Sequence, residues 1–178
     1  MSQLTNSPLN VQKLSLQELE QFTSIHNQFI PIRKNKFEQK EISSHGRNNK
    51  KIIMIGPILK KAFQILTNYG ITNFDKSEFH LECHQRNCGF EKQKHQWSHW
   101  HTDDNGAVKY PVYTIIFYLR KDRTIKGGNL DYKIDKKVKT HIVESGDIVQ
   151  FRGDLKHMPQ STDGFGCRDI VVLFIKRN

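Results

Sequence analysis

Apolar positions recur at helical spacing near the start of the chain. Leu16, Leu19, Phe22, Ile25 and Phe29 share one helical face, and Pro31 ends the pattern. Ser15, with Glu18 three residues on, forms a capping box that opens this helix. A second apolar face, Ile58, Leu59, Ala62, Phe63 and Leu66, predicts a helix that begins at Pro57 and stops at Gly70. Lys60 and Lys61 fall on its wet side. Between the two helices, residues 33–51 are polar and read as a linker or an ordered loop.

After Gly70 the texture changes to short strand-like runs. They cover residues 78–86, 95–101, 112–120, 129–134, 138–143, 147–151, 157–160 and 168–176. Gly127-Gly128 and Ser145-Gly146-Asp147 punctuate them. Eight short strands after two helices predict a mainly β fold with N-terminal helices. The expected architecture is a double-stranded β-helix, a cupin-like jelly roll of two sheets. A chain of 178 residues fits one such domain with a modest extension. Residues 1–50 would hold the N-terminal helix and a basic linker, and residues 51–178 the double-stranded β-helix with its supporting helix. No internal repeat or low-complexity tract interrupts this reading.

Composition narrows the class. The apolar fraction is only 36%, yet eleven Phe, five Tyr and two Trp supply bulk for a core. No run approaches the roughly 18 apolar residues of a membrane span, so no membrane association is expected. Residues 1–10 lack the apolar core of a signal peptide. Cys83, Cys88 and Cys167 cannot all pair with one another and lack disulfide-framework spacing. Free thiols in a reducing intracellular compartment, cytoplasm or nucleus, are expected. The net charge of +10 points to an acidic partner or a nucleic acid. Nine Lys/Arg against two Glu fall between residues 31 and 61. That stretch reads either as a solvated linker with the wet face of a helix, or as a surface for nucleic acid or an acidic peptide.

The candidate chemistry lies in the strand-rich half. His101-Thr102-Asp103 precedes the apolar run 113–119, and His157 opens a later strand after the turn Arg152-Gly153-Asp154. If the strand before it continues, alternation turns His101 and Asp103 to one side. Two imidazoles and a hard carboxylate, with no thiolate, suit non-haem Fe(II) as a facial triad better than structural zinc. Eleven residues after His157 comes Arg168, whose planar and permanently charged fork grips carboxylates. In the last run, alternation sets Arg168, Ile170, Val172 and Phe174 on one face and Asp169, Val171 and Leu173 on the other. Lys176 and Arg177 read as solvated terminal charges.

The order His-x-Asp, distant His, Arg resembles the 2-oxoglutarate- and Fe(II)-dependent dioxygenase superfamily. Thr114, Ile116 and Tyr118 share a face, and Gly127-Gly128-Asn129-Leu130 follows. Both features resemble the prolyl 4-hydroxylase-like branch. The resemblance covers residues 75–178 and implies Fe(II) on His101, Asp103 and His157. It implies 2-oxoglutarate with its far carboxylate on Arg168, aided by Tyr118, and O₂ as the oxidant, with ascorbate a candidate reductant. It further implies hydroxylation of a C–H bond with succinate and CO₂ released. Tyr118 also reads as a core tyrosine with its hydroxyl at the rim.

Other constellations are weaker. His99, on the face of His101, could touch substrate or support the metal, and Trp97 could touch substrate; each also reads as packing. A zinc site from Cys83, Cys88 and two of His80, His84, His95 and His99 has poor spacing. The polar segment 88–96 could be a substrate lid. Nothing in residues 1–70 matches a motif that names the substrate. A polypeptide side chain such as proline is favoured, a nucleic acid is the alternative, and a non-catalytic metal-binding jelly roll is the third reading.

Overall fold

The computed structural model describes residues 8–29, 40–45, 49–88, 98–104 and 111–178. Helix α1 (Leu16–Phe29) opens on the Ser15–Glu18 box. The Glu18 N–H donates to Ser15 Oγ at 3.2 Å, and the Ser15 N–H donates to the Glu18 carboxylate at 3.3 Å. Phe22 is fully buried, its ring edge-on to Phe117 at 5.3 Å. Leu16 sits in the first turn, ahead of the contact with the sheet, and is exposed.

Helix α2 (Asn49–Asn68) begins eight residues before Pro57, so the proline lies inside the helix and not at its start. The apolar run continues upstream through residues 52–55, which carries the helical face past a proline that lacks a backbone donor. Gly70, at φ 70°, ends the helix, and the Ile71 N–H caps the Leu66 carbonyl at 2.8 Å. Lys61 is not on the wet side. It is buried between the helices, where its Nζ donates to Gln21 Oε1 at 2.8 Å.

Among the described residues the strands follow the order β1 (Asn10–Lys13), β2 (Lys40–His45), β3 (Phe74–Cys88), β4 (Val112–Lys121), β5 (Lys126–Gly127), β6 (Leu130–Ile134), β7 (Lys137–His141), β8 (Asp147–Arg152), β9 (His157–Pro159), β10 (Thr162–Asp163) and β11 (Gly166–Arg177). A six-stranded sheet runs β1-β8-β4-β11-β3-β2. A three-stranded sheet runs β7-β6-β9, and β10 pairs with β5. All pairings are antiparallel, and the curled sheets form a jelly roll. The edge strands β1 and β2 escape the sequence pattern because both are short and polar. Residues 98–101 are not a strand; only a single bridge joins His101 to His157.

The six-stranded sheet separates two cores. Its outer face carries Ile115, Phe117, Leu119, Val171, Leu173 and Ile175 against the helices. Its inner face carries Ile116, Tyr118, Ile170, Val172 and Phe174 against Leu130, Tyr132 and Val143 from the smaller sheet's side. The alternation expected for β11 is therefore observed. One irregularity matters. The β4–β11 register slips at Asp169/Ile170: Tyr118 faces Ile170, Arg120 faces Asp169 and Lys121 faces Arg168. Leu119 is thus an extra residue, a bulge that returns Lys121 to the inner face.

At the sheet's end, the Arg177 guanidinium is half-buried and donates to Asp104 at 3.2 Å, so it is not a solvated terminal charge. Cys83 and Cys167 are buried and stand outside any disulfide. No helix among the described residues is long and apolar enough to cross a membrane.

Burial of His26 on α1 lowers its pKa to about 4. A group lowered on folding stabilises the fold fully above its ordinary value of 6.5, and this contribution is lost as pH falls toward 4. The linked loss is on the order of 3 kcal/mol. Urea unfolding at pH 7 and pH 4 should show this loss, and His26→Leu should remove that part of it. An unchanged pH dependence in the variant would contradict the assignment.

Candidate active site

The turn after β8 builds the first half of the site. The Asp103 and Asp104 N–H groups both donate to the Gly153 carbonyl, at 2.7 and 3.1 Å, and the Gly153 N–H donates to Val112 O at 2.8 Å. His101 and His157 exchange backbone N–H···O bonds of 3.0 Å each. This framework does what a continuous strand was expected to do. It brings His101, Asp103 and His157 together, with their ligand atoms all within 4.8 Å of one another. His101 Nε2 lies 3.6 Å from Asp103 Oδ1, and His157 Nε2 lies 3.6 Å from Asp103 Oδ2.

Each ring is oriented by the backbone. His101 Nδ1 bonds the His99 carbonyl at 2.8 Å, and His157 Nδ1 bonds the Leu155 carbonyl at 3.0 Å. A carbonyl accepts only a proton, so each Nδ1 carries a hydrogen and each Nε2 is turned toward Asp103. Burial, only partly offset by Asp103, lowers the His157 pKa and favours its neutral form. Thr114 Oγ1 donates to Asp103 Oδ2 at 2.5 Å and fixes the carboxylate. Two imidazole nitrogens and one carboxylate oxygen, with no sulfur, are a donor set that fits Fe(II).

A second set of polar groups lies on the inner face that carries Tyr118. Arg168 is 2% exposed, and its Nε has no hydrogen-bond partner. Its guanidinium carbon sits 5.5 Å from the centre of the Tyr118 ring. Burial raises the Tyr118 phenol above its usual pKa, against the pull of Arg168, so the hydroxyl stays a donor. A buried guanidinium with an orphaned donor fits an incoming carboxylate.

No protein-family model matches the chain, and no curated protein matches it. Solved structures do match it in shape. A 2OG-Fe(II) oxygenase family oxidoreductase from Burkholderia pseudomallei superposes with a TM-score of 0.63 at 10% identity, covering 99% of this chain and 87% of that one. A Pseudomonas putida prolyl-4-hydroxylase gives 0.57 at 10% identity, covering 97% and 94%. A full-length Neurospora crassa protein, solved in complex with alpha-KG, gives 0.61 at 12% identity, covering 96% and 74%. The chain has the fold of the 2-oxoglutarate–Fe(II) oxygenases.

Within that fold the remaining candidates separate. His99 is exposed, with its ring centre 5.3 Å from that of His101, and its backbone carbonyl orients His101. Trp97 and most of the 88–96 segment lie outside the described residues. The zinc reading fails at Cys83, whose side chain packs in the outer core while His80 and His84 lie on the opposite face of β3. Burial raises the Cys83 thiol to about 12, so it is not a thiolate. His80 and His84 instead flank Glu82, at 2.8 and 3.0 Å, and hold that carboxyl down at about 2 against its burial.

Three contributors escaped the sequence reading of the site. Thr114 was visible by alternation with Tyr118, but nothing in the sequence tied it to Asp103. Thr162 is buried, with an unsatisfied hydroxyl. Gly153 is required by close approach: a Cβ there would stand 2.2 Å from Asp104 Oδ1 and 2.6 Å from Val112 Cγ2. Gly153→Ala should therefore push the Asp103–Asp104 turn out of place. Overpacking of this kind destabilises by about 1–3 kcal/mol. A lower melting temperature and a metal affinity reduced about 10-fold or more are expected, as for loss of a ligand's support. Wild-type values for both in calorimetry would show that the turn tolerates the methyl.

Proposed function

We propose that the protein is an Fe(II)- and 2-oxoglutarate-dependent dioxygenase that hydroxylates a C–H bond and releases succinate and CO₂. The observation that carries this reading is one inner face holding both the His101–Asp103–His157 cluster and the buried, unsatisfied Arg168. When bound, the iron, 2-oxoglutarate and O₂ supply the oxidising chemistry. The chain binds, orients and shields. His101 and His157 offer Nε2 as ligands while backbone carbonyls lock their rings, and Asp103 offers a carboxylate held by Thr114. Arg168 fixes the far carboxylate of 2-oxoglutarate by a charge-assisted bond, and the Tyr118 hydroxyl assists. None of these residues acts as an acid or a base.

The favoured substrate is a polypeptide side chain such as proline, supported by the Tyr118 and Gly127-Gly128 pattern. A nucleic-acid base is the second reading. It is supported by the +10 charge and by Lys133, whose ammonium stands 4.4 Å over the ring of Trp100, next to His101. The Neurospora crassa protein was also solved with 5-formyluracil. Cys83 and Cys167, buried and outside any disulfide, fit a reducing compartment.

The test is 2-oxoglutarate turnover with Fe(II) and ascorbate, with prolyl-containing peptides or mixed DNA and RNA oligonucleotides as stimulants. Stimulation by peptides, and oligonucleotide binding that vanishes at physiological salt, is the expected result. Turnover stimulated by an oligonucleotide, or tight salt-resistant binding, would replace the polypeptide with a nucleic acid.

A further inference from the structure

A second cation lies beside Arg168. Arg168 and Lys121 are directly opposed across the β11–β4 pair, both on the inner face because of the bulge at Leu119. Like charges in that register repel. Neither cation has an ion pair among the described residues. The partners of Lys121 Nζ are neutral, Asn129 Oδ1 at 2.8 Å and the Val143 carbonyl at 3.2 Å. An ammonium has three donors, so one remains after these two bonds. Burial, and then the charge of Arg168, pull the Lys121 pKa below its usual range, against the opposing pull of Asp147 and Glu144.

Thr162 belongs to the same place. A Cβ on Gly128 would stand 2.8 Å from Thr162 Cγ2 and 3.3 Å from Arg168 Nε, so one backbone position touches both side chains. The Thr162 hydroxyl and Arg168 Nε are each buried without a hydrogen-bond partner. Asp147 and Glu144 act on Lys121 only from beyond ion-pair distance, so two neighbouring cations and two buried donors lack a direct anionic partner, which is costly. A single anionic group set among them would supply that partner.

We propose that Lys121 and Thr162 complete the cradle for the far carboxylate, with Lys121 as a second cation beside Arg168. Together they set a preference for a dicarboxylic over a monocarboxylic 2-oxo acid. This rests on the dioxygenase reading and adds the residues that set co-substrate selectivity. Lys121 positions the co-substrate and takes no part in the oxidation.

The test is calorimetric titration of the full Mn(II)-loaded chain with 2-oxoglutarate and with 2-oxopentanoate, which has the same carbon count but no far carboxylate. Lys121→Met should weaken 2-oxoglutarate about 10- to 100-fold, as loss of a charge-assisted contact does. It should leave 2-oxopentanoate within about twofold, a change too small to reflect a lost contact. Lys121→Gln keeps a donor for Asn129 while removing the charge and should behave in the same way. Lys121→Arg should restore most of the affinity. Thr162→Val should weaken 2-oxoglutarate about 3- to 10-fold, as for one hydrogen bond. Equal weakening of both acids would reduce Lys121 to a structural tie between Asn129 and Val143, and an unchanged preference would overturn the proposal. Failure of the unaltered protein to bind 2-oxoglutarate would overturn the dioxygenase reading and this proposal with it.

Discussion

His157→Ala leaves a folded chain that neither binds Fe(II) nor turns over 2-oxoglutarate. The fold survives because the His101–His157 bridge is made by backbone atoms, which alanine retains. The lost packing against Phe151, whose ring centre is 4.7 Å away, falls in the usual range of about 0.5–3 kcal/mol for a point substitution. The metal site has no such reserve. Removing one of three ligands should exceed the roughly 10- to 100-fold loss seen when only a ligand's supporting partner is removed. Melting temperature and anaerobic Fe(II) titration separate the two effects. A variant that binds Fe(II) as tightly as the unaltered chain would place the metal elsewhere.

Arg168→Met opposes binding and stability in a way few substitutions do. Methionine fills much of the space with an apolar chain, removes the orphaned Nε, and relieves the repulsion with Lys121. The ligand-free protein should melt no lower than the original. Binding of 2-oxoglutarate should weaken by about 2–5 kcal/mol, roughly 30-fold or more. Tyr118→Phe, which loses one hydroxyl donor, should cost about 1 kcal/mol. A fall in melting temperature with unchanged 2-oxoglutarate affinity would make Arg168 a structural residue.

The parts of this site legible in the sequence are those fixed by local rules. The Ser15–Glu18 box marks the start of α1, and period-two alternation sorts β11 into an outer row of Val171 and Leu173 and an inner row of Ile170 and Val172. The same rule pointed His101 and Asp103 in one direction. The reason was wrong, though, since the turn on Gly153 and the His101–His157 bridge do the work of the expected strand. Lys121 shows where alternation fails. Counted from Tyr118 it falls on the outer face, and only the bulge at Leu119, a property of the pairing with β11, turns it inward. Thr162, Gly153 and the Arg177–Asp104 contact are likewise fixed by segments distant in sequence. The edge strands β1 and β2 escape for another reason: they take backbone bonds from a neighbouring strand while their own polar residues carry no periodic signal.

The most direct test of the central claim is an anaerobic crystal structure of the full chain with Mn(II) and 2-oxoglutarate. It should show one metal ion held by His101 Nε2, the Asp103 carboxylate and His157 Nε2. The 2-oxoglutarate should reach from that metal to Arg168. A metal bound by other side chains, or 2-oxoglutarate bound away from Arg168, would contradict the account.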